Sequence, residues 1–161
     1  MSKVFITGAT GQLGKSTINF LLQKGIAAKQ ISALARDEAK AAELKSKGID
    51  VKIGNYDDFD SLRTAMQGVE TMLLISSSEM TKSRALQHIN AIKAAKENGV
   101  KHIIYTGFMR THEDPTSPLW FIAEDHVKTE KYLKESEITY TIFANGFYMD
   151  MLMDYVGEQI L

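Results

Sequence analysis

With 161 residues, 44% of them hydrophobic, and a formal net charge of -1, the chain can build one domain with a sizeable core and advertises neither nucleic acid nor an anionic membrane as a partner. The lack of cysteine excludes a disulfide framework and thiol chemistry, and the four histidines show no metal-ligand spacing. No apolar run is long enough to span a membrane, and the N-terminus lacks a signal-peptide layout, so a cytoplasmic location is the default.

The pattern alternates strand and helix. Lys3 to Thr7 reads as a first strand, and Gly8, Gly11 and Gly14 punctuate the turn after it in a G-x-x-G-x-x-G spacing. Gly8 permits a tight turn, Gly11 lets a pyrophosphate approach the backbone, and Gly14 lets the next helix lie close. That helix runs from about Gln12 to Lys24, with Leu13, Thr17, Phe20 and Leu21 at helical spacing. Its first N–H groups, backed by the positive end of the helix dipole, suit phosphate. Ile31 to Ala35 is a second strand. Asp37 caps a helix to about Lys47, with Ala41, Ala42 and Leu44 inward. Asp50 to Ile53 is a third strand, and a helix follows from Asp58 to Gln67. Thr71 to Ile75 reads as a fully buried fourth strand. A long helix covers Glu79 to Asn98, a fifth strand Val100 to Thr106, a helix Trp120 to Glu135, and a sixth strand Thr139 to Phe143. Gly146 to Leu161 is helical in pattern.

Six strands alternating with helices imply an α/β fold, a doubly wound parallel sheet of order 3-2-1-4-5-6 with helices on both faces. Ligands in such sheets lie beyond the C-terminal strand ends, at the switch point. The residues to inspect there follow directly. Thr10, Gln12 and Leu13 join Gly8 and Gly11 at the pyrophosphate. Arg36, after strand two, offers a planar fork to a 2′-phosphate, which favours NADP(H) over NAD(H), or is a solvated surface arginine. Asn55 and Tyr56 can border an adenine or form a plain turn. Ser76, Ser77 and Ser78 can line the nicotinamide ribose, cap the next helix, or both. Asn145 is a polar handle at the end of strand six, where Phe147 and Tyr148 can wall an apolar substrate or simply pack. His126 and Glu130 share a helix face at i, i+4; His126 can donate a proton near the cofactor, or the pair is a plain helix surface.

Taken together, the segments I-T-G-A-T-G-Q-L-G, L-L-I-S-S-S-E, Ser117-Pro118-Leu119, E-D-H-V-K-T-E-K and N-G-F-Y resemble the NmrA-like, atypical short-chain dehydrogenases/reductases, in particular their bacterial NADPH:quinone oxidoreductases. The resemblance covers almost the whole chain. It implies hydride transfer from NADPH to a quinone or similar small acceptor. A non-catalytic NADP(H)-binding redox sensor acting on a protein partner is the alternative. No nucleic acid or membrane is expected as a partner, and a homodimer is an open option. The Tyr-x-x-x-Lys of related dehydrogenases is absent, since no tyrosine has a lysine four residues on; Ile122 stands in the tyrosine's place. Ketone reduction, which puts charge on an alkoxide, is thereby disfavoured more than quinone reduction. The family runs on for roughly another 100 residues, so residues 1–161 correspond to the dinucleotide-binding domain with the substrate lobe largely missing.

Overall fold

A computed structural model describes residues 3–79 and 81–148. Six parallel strands form one sheet: β1 (Val4–Ile6), β2 (Ile31–Ala35), β3 (Asp50–Ile53), β4 (Thr71–Leu74), β5 (His102–Phe108) and β6 (Thr139–Asn145), in the order β3-β2-β1-β4-β5-β6. The doubly wound order expected from the alternation is therefore the one found. Val4 lies opposite Ile31 on one side and Thr71 on the other, which puts the switch point between β1 and β4.

The helices are α1 (Gln12–Gln23), α2 (Ala42–Ser46), α3 (Phe59–Ala65), α4 (Arg84–Glu97) and α5 (Trp120–Glu135). Strand alternation sends side chains to two cores. Phe5, Met72, Leu74, Ile103 and Tyr105 pack with Leu62 of α3, Ile92 of α4 and Leu133 of α5. Ile6, Ile31 and Ala33 pack with Ile18 of α1 and Leu44 of α2 on the other face. β6 is the least buried strand, with Phe143 51% exposed.

Several boundaries differ from the sequence expectation for local reasons. Asp37 does cap, but it caps a turn: its carboxylate accepts from the Ala39 N–H at 2.7 Å. The helix proper begins only at Ala42, which is exposed rather than inward. The long helix starts at Arg84 instead of Glu79, because Ser83 accepts from the Leu86 N–H. Ser78 is therefore not its cap. β4 stops at Leu74, and only alternate residues of it are buried. β5 and β6 each run further than expected because they pair with each other out to Phe108 and Asn145. Residues 146–148 are not helical; the rest of the helix expected up to Leu161 lies outside the described residues.

Candidate cofactor-binding site

The turn after β1 has the shape its glycines imply. Gly8 takes a φ of +58°, a left-handed conformation that side chains disfavour. Gly11 is the N-cap of α1, no side chain caps that helix, and its first turn holds no acid. The Gln12 and Leu13 N–H groups thus stand at an uncapped helix start, with the dipole's positive end behind them. The Gly11 N–H itself is spent on the Gly8 carbonyl at 3.0 Å. Gly14 is the packing glycine: a Cβ there would lie 2.4 Å from the Gly8 oxygen and 2.6 Å from the Ala9 Cα. Thr10 is half-buried beside this turn. The Thr7 hydroxyl donates to the Leu73 carbonyl and accepts from the Ile75 N–H, tying β1 to β4 beneath the cradle.

Arg36 follows β2 exposed, with no hydrogen bond or ion pair among the described residues. Its charge reaches Asp57 and Glu79 and helps lower both carboxylates, behind larger contributions from Lys82 and Thr81 respectively. Asn55 proves to be a turn residue. Its side-chain oxygen accepts from the Asp57 and Asp58 N–H groups at 2.8 and 3.1 Å. The Tyr56 hydroxyl donates to the Ile75 carbonyl at 2.6 Å, and its burial raises its pKa.

Beyond β4, the Ser76 N–H donates to the Thr106 hydroxyl and the Ser77 N–H to Nε2 of His88, both at 2.8 Å. Ser78 is exposed. From here a run of rings crosses beneath the strand ends: Tyr56, His88, Tyr105, His126, Phe108 and Phe147, with neighbouring centroids 5.5 to 6.1 Å apart. Nδ1 of His88 lies 2.9 Å from the Thr129 hydroxyl, and the Tyr105 hydroxyl lies 2.7 Å from Nδ1 of His126.

His126, a candidate proton donor by its spacing, is 4% exposed. Burial first, then Arg84, holds its pKa down at about 4. At neutral pH the ring is uncharged and its Nδ1 is engaged, so it is a weak proton source. Glu130 shares its helix face but serves another group: Arg110 grips it with two bonds of 2.8 and 2.7 Å. Neither residue of the pair belongs to a bland surface. Beside Arg110, an open cleft of about 320 Å³ is lined by Phe108, Glu130, Ile142 and Ala144. Phe147 is 57% exposed and packs edge-on against Phe108, while Asn145 donates to the Tyr148 hydroxyl at 2.8 Å. These three stay together at the β6 end.

Sequence reasoning missed the roles of His88 and Arg110. One signal was available for His88. It falls on the α4 stripe of Ala85, Ile92 and Ala95, all buried, and a polar residue on a buried stripe needs a partner. Among the described residues no cluster of three His, Cys, Asp or Glu side chains could hold a metal, and no helix is long and apolar enough to cross a membrane.

A parallel sheet of this order, with an uncapped glycine-lined helix start at its switch point, defines a dinucleotide-binding α/β domain. The chain belongs to the family described as NAD(P)H-binding, which matches residues 8–152, and the likeness to NmrA-like quinone reductases is borne out. It is 50% identical over 147 residues to Quinone oxidoreductase 2 of Escherichia coli (strain K12), covering 91% of this chain and 49% of that protein. The crystal structure of the Escherichia coli NADPH-dependent quinone oxidoreductase QOR2 complexed with NADPH superposes with a TM-score of 0.80 at 49% identity, over 91% of this chain and 50% of that one. Citrobacter sp. triphenylmethane reductase complexed with NADP(H) gives a TM-score of 0.83 at 39% identity, over 93% and 51% of the two chains. The chain spans about half the length of these relatives.

Proposed function

We propose that the protein is an NADPH-dependent reductase that passes hydride to a quinone-type acceptor. The observation that carries this reading is the 50% identity to the Escherichia coli quinone oxidoreductase over nearly all of a chain whose cradle is formed. The bound nicotinamide would supply the hydride. Everything else falls to the chain's own groups. Gly8, Thr10, Gly11, Gln12 and Leu13 hold the pyrophosphate, the last two through their N–H groups. Arg36, with no partner to give up among the described residues, takes the 2′-phosphate. Ser76, Ser77 and Ser78 with Asn145 frame the nicotinamide end, and Phe147 and Tyr148 wall the acceptor.

Proton supply supports a quinone over a ketone. The Tyr105 hydroxyl is buried, raised in pKa and committed to His126, and His126 is neutral at physiological pH. No side chain so placed delivers a proton readily to a developing alkoxide. A quinone forms a stabilised, phenolate-like oxygen that water can protonate. The test is loss of reduced-nicotinamide absorbance with NADPH and a benzoquinone, against NADPH and an aliphatic ketone. Quinone-dependent oxidation is expected, with none for the ketone. NADPH binding without quinone-dependent turnover would replace this reading with that of an NADP(H) sensor.

A further inference from the structure

The buried histidine of α4 has no part in the reading above, yet it grips the end of β4. We infer that His88 is a positioning residue for the nicotinamide half of the cofactor site: its Nε2 holds the Ser77 N–H inward and so turns the Ser76 carbonyl outward as an acceptor. The inference rests on the reading of Ser76 to Ser78 as the nicotinamide-end wall.

The hydrogen-bond polarity is fixed by elimination. A backbone N–H can only donate, so Nε2 of His88, 2.8 Å away, must be the ring's unprotonated nitrogen. The neutral ring then carries its proton on Nδ1 and donates to the Thr129 hydroxyl at 2.9 Å. That hydroxyl donates on to the Asp125 carbonyl at 2.7 Å. Tyr105, 3.4 Å from the same Nδ1, is free to donate to His126. The run from the Ser77 N–H through His88 and Thr129 is thus consistently polarised and ends on the backbone of α5. His88 itself is fully buried.

The consequence comes from the peptide plane. In a trans peptide the C=O and the following N–H point in opposite directions. With the Ser77 N–H drawn towards α4, the Ser76 C=O faces away from it, on the strand-end side where the cofactor is expected. The chemistry suits a carboxamide or ribose hydroxyl as donor. The Ser76 N–H is independently held by Thr106, so the peptides on either side of Ser76 are both pinned.

The experiment compares two ligands on the purified chain. NADPH carries the nicotinamide; adenosine 2′,5′-bisphosphate carries the adenosine with its 2′- and 5′-phosphates and no nicotinamide. His88→Gln puts an acceptor oxygen where Nε2 stood, His88→Asn puts its amide only where Nδ1 stood, and His88→Leu offers neither. We expect His88→Asn and His88→Leu to weaken NADPH about tenfold, with adenosine 2′,5′-bisphosphate unchanged and His88→Gln close to the wild type. If His88→Leu fails to fold by circular dichroism, the Gln and Asn variants decide the matter. Wild-type NADPH affinity in His88→Asn, parallel loss of both ligands, or Gln behaving like Asn would overturn the inference. A wild-type chain that binds neither ligand would overturn the cofactor reading itself, a distinct result.

Discussion

Gly14 shows how much one hydrogen atom decides at the cradle. A Cβ at this position would sit 2.4 Å from one main-chain atom and 2.6 Å from another, and neither can rotate away as a side chain could. Gly14→Ala must therefore lift the start of α1 off the Gly8–Ala9 turn. We expect a loss of about 1–3 kcal/mol in stability, the usual cost of overpacking, read from urea unfolding, together with weakened NADPH binding. Unchanged stability would mean that the turn yields freely. The tight turn at Gly8 and the close packing at Gly14 were legible in the sequence, because each acts through its own backbone. His88 was not. Its partners, Ser77, Thr129 and Tyr105, lie on other elements as far as 41 residues away, and nothing local to His88 names them.

The seam between α4, β5 and α5 buries two imidazoles, and that gives the elements a pH signature. Burial, with a smaller repulsion from His126 and Arg84, pushes the pKa of His88 down to about 3; His126 is held at about 4. Both folded values lie below the unfolded value of about 6.5. Between these limits the unfolded chain binds more protons than the folded one, so stability rises with pH. The contribution is complete above about pH 6.5 and is lost progressively on acidification, to about 4 for His126 and about 3 for His88. The loss is on the order of 1 kcal/mol per pH unit for each ring. Lowered carboxylates do not confuse this window. Asp50, pulled to about 2 against its burial by Lys3, Lys52 and Ser32, gives up its contribution only below about pH 4. Urea midpoints at pH 7 and 5 should therefore drop steeply in the wild type and flatten when His88 and His126 are both replaced by Gln. An equal drop in the double variant would count against this assignment. The same seam explains where element boundaries escaped the sequence. Ser77, Ser78 and Ser83 are all competent caps by type; Ser83 takes the role next to Arg84 and Ala85, which both bond Asp125 across the seam. The far ends of β5 and β6 exist because they pair with each other, a non-local gain that no single-strand pattern announces.

At the scale of the whole molecule, the sheet collects the cradle, Arg36 and the β4 end along one edge, so cofactor binding can be separated from turnover. Anything that binds the folded chain alone raises its unfolding free energy by about 2.7 kcal/mol at a hundred times its Kd. For a domain of this size that corresponds to a rise in melting temperature of about 5–10 °C. NADPH should produce such a shift, and NADH at equal concentration a smaller one, if Arg36 adds the proposed charge-assisted fork to the 2′-phosphate. Arg36→Glu places like charge against that phosphate and should reverse the order of the two nucleotides, costing NADPH at least about tenfold in affinity, or about 1.4 kcal/mol. Because Arg36 is exposed and makes no hydrogen bond or ion pair among the described residues, its replacement should leave the melting temperature of the ligand-free chain close to that of the wild type. An unchanged order of NADPH and NADH in the variant would remove Arg36 from the site, whatever the quinone assay shows.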